Sequence, residues 1–292
     1  MSLRQQLRGT GVALVTPFTS DLKVDFDSLG NVIDTMIQDG VEYLITLGTT
    51  GETPTLDKQE KLDIVNYTFE KVAGRVPVVV GIGGNNTAEL IHDLHKFPLD
   101  KAVAVLSASP NYNKPSQEGI YQHYKALAAA SPKPILLYNV PGRTGRNMTA
   151  ETTLRLAQLP NIAGMKEASG DMAQCMQLLR DMPEDFLLVS GDDALALPLI
   201  ACGMHGVISV AANAFPAEFS EMTRLCLKQD FTAAKAINDK LIEAYDLMFA
   251  ENNPAGVKAF MAEKGWIGNH LRLPVVPLSE GLHARVRNYL KK

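Results

Sequence analysis

A strand-like run followed by a helix-like segment recurs eight times along this chain, at intervals of roughly 30 residues, a spacing typical of βα units. The runs fall at 11–18, 43–48, 76–83, 102–109, 134–140, 162–169, 186–193 and 206–213. Most are continuous apolar stretches, as expected of parallel strands covered on both faces. The segments between them are amphipathic. In 57–74, Leu62, Val65, Phe69 and Val72 share one face, and in 116–131 Ile120, Tyr124 and Leu127 do. Gly74 is a plausible C-terminal stop, with Pro77 just beyond. Asn86-Thr-Ala-Glu89 offers a capping box for the next helix. Eight such units in 292 residues predict an α/β fold, a (β/α)8 TIM barrel, over residues 1–230. After about residue 214 the strands stop, and residues 231–292 read as a C-terminal helical extension, broken at Asn252-Asn-Pro254 and between Pro274 and Pro277.

A doubly wound open sheet is the competing architecture, and it would require a dinucleotide fingerprint. Gly81-Ile-Gly83-Gly84-Asn-Asn86 has the right setting, but the third glycine of the motif falls at Asn86, so the match fails. With 46% hydrophobic and 21% charged residues and a net charge of −4, the chain has the composition of an ordinary globular protein, and its scattered lysines and arginines argue against nucleic-acid binding. Cys175, Cys202 and Cys226 form no CxxC pair and suggest a reducing compartment. His92 and His95 share a helix face at i, i+3, and solvated surface is the better reading than a metal site. The first eight residues lack the apolar region of a secretory signal, and the most hydropathic window, 194–215, is split by glycines and reads as a buried helix and strand. A cytoplasmic location is expected, with neither nucleic acid nor membrane as a partner.

In a barrel of this kind the chemistry sits at the carboxyl ends of the strands. The sixth run ends Ile162-Ala-Gly-Met-Lys166-Glu-Ala-Ser-Gly170. A lysine there either snorkels to water or is desolvated, which disfavours the ammonium and leaves a nucleophilic amine. The fifth run ends Leu136-Leu-Tyr138-Asn-Val-Pro141-Gly-Arg143. Strand parity puts Tyr138 on the face of Leu136, and Lys166 on the face of Ile162 and Gly164, so phenol and amine can enter one cavity from adjacent strands. The second run passes into Gly48-Thr49-Thr50-Gly51-Glu52, whose hydroxyls and N–H groups suit a small carboxylate.

Together, Gly-Thr-Thr-Gly-Glu (48–52), Tyr-Asn-Val-Pro-Gly-Arg-Thr (138–144) and Lys-Glu-Ala-Ser-Gly (166–170) resemble the dihydrodipicolinate synthase / N-acetylneuraminate lyase superfamily of pyruvate-dependent class I aldolases, over nearly the whole chain. Sialic-acid lyases typically carry Gly-Ser-Thr-Gly-Glu and lack the Gly-Arg-Thr, so the likeness is to the synthase branch. It implies a Schiff base between Lys166 and pyruvate, with Tyr138 as proton donor and acceptor. It implies that Thr49 links Tyr138 by hydrogen bonds to Tyr112, supplied by a neighbouring subunit from the loop Asn-Tyr-Asn-Lys-Pro (111–115). Thr50 would hold the pyruvate carboxylate. Arg143 would bind the carboxylate of L-aspartate 4-semialdehyde and help position Tyr138. Gly191 and Ile208 would line the cavity with backbone groups. The resemblance further implies no metal or redox cofactor and a homotetramer of two tight dimers, or a homodimer. Two other readings stay open: a related aldolase acting on a sugar or oxo-acid aldehyde, which Arg143 disfavours, and a barrel kept only for binding, which the intact polar set disfavours.

Many members of that family are inhibited by lysine at the dimer interface. Asn85 and Glu89 match two positions of that site, but Asn111 stands where a tyrosine is expected, and Thr53, Pro54, Lys58 and Lys61 also depart from the pattern. Lys61 would repel a cationic effector, so little or no lysine sensitivity is expected.

Overall fold

Eight short parallel strands close on themselves: β1 (Gly9–Ala13), β2 (Tyr43–Thr46), β3 (Val78–Gly81), β4 (Ala104–Ala108), β5 (Ile135–Asn139), β6 (Ile162–Glu167), β7 (Leu187–Ser190) and β8 (Gly206–Ser209). Each pairs with its neighbours in sequence and β8 pairs back onto β1, which is the expected (β/α)8 barrel. The computed structural model describes residues 2–292. Around the barrel run α1 (Leu3–Gln6), α2 (Phe26–Gln38), α3 (Lys58–Val72), α4 (Thr87–Lys96), α5 (Gln117–Ala130), α6 (Pro141–Thr144), α7 (Ala150–Leu156), α8 (Met172–Asp181), α9 (Ala196–Ala201) and α10 (Pro216–Leu227). Helices α11 (Phe231–Phe249), α12 (Ala255–Glu263) and α13 (Glu280–Tyr289) follow β8 and α10. Among the described residues, no helix is long and apolar enough to cross a membrane.

Strand alternation divides the buried apolar side chains into two layers. Val12, Leu44, Val80, Leu137, Met165, Leu188 and Val207 join the helices in the outer core. Ala13, Ile45, Val79, Leu106, Leu136, Tyr138, Val189 and Ile208 cluster inside the barrel. Continuous apolar runs are therefore needed, because both faces are dry.

The pairing differs in detail from the sequence expectation. Most ladders end before the apolar runs do, because segments such as 14–17 and 210–213 stay buried without strand pairing. Ala73 (φ 49°), not Gly74, takes the first left-handed position after α3, and Gly74 (φ 73°) follows. At α4, Asn86 caps the helix through the Glu89 N–H, but the Glu89 carboxylate does not return the bond and lies 3.7 Å from Lys58 Nζ. A complete capping box forms instead at α3, between Asp57 and Glu60. His92 and His95 are solvent-exposed, as expected.

Candidate active site

Lys166 and Tyr138 are paired in register on β6 and β5, so the parity argument from the sequence holds. Both side chains are buried. The Lys166 amine lies 4.4 Å from the centroid of the Tyr138 ring, and among the described residues it makes no ion pair with a carboxylate. Gly191, at the end of β7, makes room for it. A Cβ at that position would stand 2.8 Å from Lys166 Cε and 2.7 Å from Ala168 Cβ. Ile208 is fully buried in the inner layer, on the strand beyond.

Behind the catalytic candidates the strands are locked on the next rung. Asn139 and Glu167, the residues after Tyr138 and Lys166, are also paired, and the Asn139 amide donates to Glu167 Oε2 at 3.0 Å. Glu167 is buried and accepts further bonds from the Ser169 N–H (2.6 Å) and Gln174 Nε2 (3.1 Å), and among the described residues it forms no ion pair. The lock lies downstream of a register shift between Ile135 and Leu136. Asp193, on the loop after β7, accepts the N–H groups of Val210 and Ala211 and so ties that loop to the one after β8. Burial raises its carboxyl to about 6.

The segment 48–52 forms a single 3-10 turn, Thr49–Gly51, bracketed by the left-handed non-glycine residues Leu47 (φ 57°) and Glu52 (φ 53°). Thr49 is half-buried and Thr50 buried. Asn253, in the loop before α12, joins two of the expected substrate groups. Its amide donates to Thr50 Oγ1 at 3.2 Å, and its carbonyl accepts from Arg143 Nη2 at 3.2 Å. Arg143 is solvent-exposed on α6, at the rim.

Tyr112 stands apart from the rest. It is 87% exposed with φ 67°, on a loop tied to Asn85 by bonds from the Asn85 amide to the Asn111 carbonyl and from the Asn113 amide to the Asn85 carbonyl. Among the described residues, no hydrogen bond links Thr49 to Tyr138 or to Tyr112 within the chain. The sequence reading put Tyr138 and Lys166 on one inner face, as their register shows, whereas Arg143 and Tyr112 lie exposed to solvent. It missed Asn139, Glu167 and Asn253, which brace the strands and turn that carry the candidate residues, and Asp193, which ties the loops after β7 and β8. The only local signal was the Asn252-Asn-Pro254 break, read as a turn.

Fold and site together define an enzyme of the (β/α)8-barrel class, with its polar groups gathered round a lysine at the carboxyl ends of the strands. More narrowly, the chain belongs to the dihydrodipicolinate synthetase family, whose pattern it matches over residues 6–292. It is 51% identical to the 4-hydroxy-tetrahydrodipicolinate synthase of Phocaeicola vulgatus, over 94% of this chain and 93% of that one. Its structure superposes with a TM-score of 0.95 on the chloride-inhibited dihydrodipicolinate synthase of Acinetobacter baumannii complexed with pyruvate, at 39% identity and covering 98% of each chain. The DHDPS of Cyanidioschyzon merolae with lysine bound gives a TM-score of 0.93 at 36% identity, covering 97% of each chain.

Proposed function

We propose that the chain condenses pyruvate with L-aspartate 4-semialdehyde to give 4-hydroxy-tetrahydrodipicolinate, a step of lysine and diaminopimelate biosynthesis. The observation that carries this reading is the buried Lys166 amine against the Tyr138 ring on one rung of the barrel. The Lys166 amine attacks the keto carbon of pyruvate, and loss of water leaves an iminium that acts as an electron sink. The methyl group then gives up a proton to become an enamine, and Tyr138 serves as donor and acceptor of protons around the imine. The enamine carbon bonds to the aldehyde carbon, whose oxygen takes the carbonyl electron pair and a proton to become the hydroxyl, and the nitrogen lone pair restores the iminium. The amine of the aldehyde substrate next attacks the imine carbon, closes the six-membered ring and releases Lys166.

Thr50 takes the pyruvate carboxylate through its hydroxyl and N–H. Arg143 takes the carboxylate of the aldehyde, which its planar fork can bond through both oxygens. Their common neighbour Asn253 supports this pairing of roles, because it fixes the two anion sites relative to each other. Gly191 and Ile208 wall the cavity. Thr49 completes the proton route with Tyr112 of a second copy in a homodimer, or in a homotetramer of two such dimers. A reducing, cytoplasmic setting belongs to the same proposal and rests on the three unpaired cysteines.

The test is pyruvate consumption with L-aspartate 4-semialdehyde as the only aldehyde, with Lys166→Ala alongside. Consumption that vanishes in the variant is expected. Borohydride trapping of pyruvate on Lys166 without consumption would mean that another aldehyde is the substrate. No trapping would overturn the catalytic reading.

A further inference from the structure

Two of the bonds that hold the turn carrying Thr49 and Thr50 come from the βα loops themselves: Thr16 Oγ1, after β1, to the Gly51 carbonyl and Thr53 Oγ1, in the next turn, to the Gly48 carbonyl, each at 2.8 Å. Those that hold the carboxylate of Glu52, the residue closing the turn, come from outside it. Lys258 on α12 places its ammonium 2.5 Å from Glu52 Oε1, across 206 residues of sequence, with both side chains almost wholly buried. The same amine donates to the His270 carbonyl at 3.0 Å and lies 4.3 Å from the Phe18 ring centroid. The second Glu52 oxygen accepts the Arg272 N–H at 3.1 Å. Glu52 in turn donates its own N–H to the Thr49 carbonyl.

A buried ion pair contributes little to stability, because desolvation offsets the attraction and apolar replacements often serve as well. It does impose geometry, since the two charges are satisfied in one arrangement only. Here that arrangement holds a glutamate in the left-handed region, which is strained for a residue with a Cβ. The strain falls next to the hydroxyls read as the carboxylate site, where such strain is characteristically kept.

We propose that Lys258 is a positioning residue for pyruvate binding: acting through Glu52, it sets the Thr49–Gly51 turn, and so makes α12 part of the active site. The proposal rests on the reading of Thr50 as the carboxylate ligand.

Lys258→Met leaves Glu52 buried without its cation, so the neutral pair Glu52→Gln/Lys258→Met is measured beside it in the full-length chain. The readouts are the pyruvate dependence of borohydride trapping on Lys166, KM and kcat for both substrates, and thermal unfolding. The pyruvate concentration for half-maximal trapping and the pyruvate KM rise about tenfold in the double variant, with kcat at saturation and the aldehyde KM within about threefold, the signature of lost ground-state binding. A folded double variant with wild-type pyruvate dependence overturns the proposal, as does a fall in kcat at unchanged KM. Failure of both variants to fold also overturns it, because the pair would then serve the fold and not the turn. A wild-type chain that traps no pyruvate sinks this proposal together with the reading beneath it, and only that outcome touches the latter.

Discussion

Lys166 and Glu167 are adjacent in sequence and face opposite sides of one strand, and the two sides have different work. Lys166 lies against Tyr138 on the inner face, while Glu167 gathers the Asn139, Ser169 and Gln174 donors on the outer one. A glutamine there would keep one acceptor oxygen and turn its NH2 toward groups that are themselves donors. Glu167→Gln is therefore expected to lower stability by about 1–3 kcal/mol, the cost of unsatisfied buried donors. Loosening the rung that carries Lys166 and Tyr138 lowers kcat about tenfold, with a smaller change in the pyruvate KM. Steady-state kinetics beside urea unfolding checks both, and an unchanged kcat in a folded variant would detach this network from the chemistry.

Between elements, the contact of α4 with α5 predicts an acid sensitivity. His123 on α5 is buried against Thr87 at the start of α4, at 2.8 Å, and burial pulls its imidazole down to about 4. Above pH 6.5 the imidazole is neutral in both folded and unfolded chains, and its contribution is complete. As the pH falls from 6.5 to about 4 only the unfolded chain takes the proton, so stability is lost across that window, on the order of 2–3 kcal/mol. Asp193 works against this, since its raised carboxyl binds a proton first in the folded state. Urea unfolding of wild type and His123→Gln at pH 6.5 and 4.5 isolates the histidine: the variant loses less stability on acidification. The contact of α3 with α4 bears on regulation. The Lys58 ammonium stands 3.7 Å from Glu89, an exposed pair worth well under 1 kcal/mol. It nonetheless neutralises the carboxylate that a cationic effector would need. Millimolar L-lysine is expected to leave the initial rate unchanged, and halving of the rate would refute this.

At the scale of the whole molecule, Tyr112 is the residue the single chain leaves unexplained. Its ring is 87% exposed on backbone of φ 67°, a conformation uncommon for a residue with a Cβ. If a second copy receives it, mixing Tyr112→Phe with Lys166→Ala chains restores activity, because each mixed dimer carries one site with an intact lysine and an intact tyrosine. Random pairing of equal amounts regenerates about a quarter of the sites. A fully active monomer in sedimentation with parallel assay would end the shared-site reading.

The sequence by itself determined the architecture and the strand face shared by Tyr138 and Lys166. Eight apolar runs of strand length, with helical periodicity between them, have few closed solutions, and a strict period of two assigned Tyr138 and Lys166 to one interior. Hydrophobic period and strand parity are local properties, readable wherever the run is long enough. Where the ladders would stop was not local, because buried mouth segments are as apolar as strands. Nor were the supports legible. Asn139 with Glu167, Asn253 with Thr50, and Lys258 with Glu52 are 28, 203 and 206 residues apart. Any amide, hydroxyl or charge could satisfy any other. Closure of the barrel and the folding of α12 against it chose the partners, because burial makes an unpaired polar group expensive only once the chain has brought it out of water.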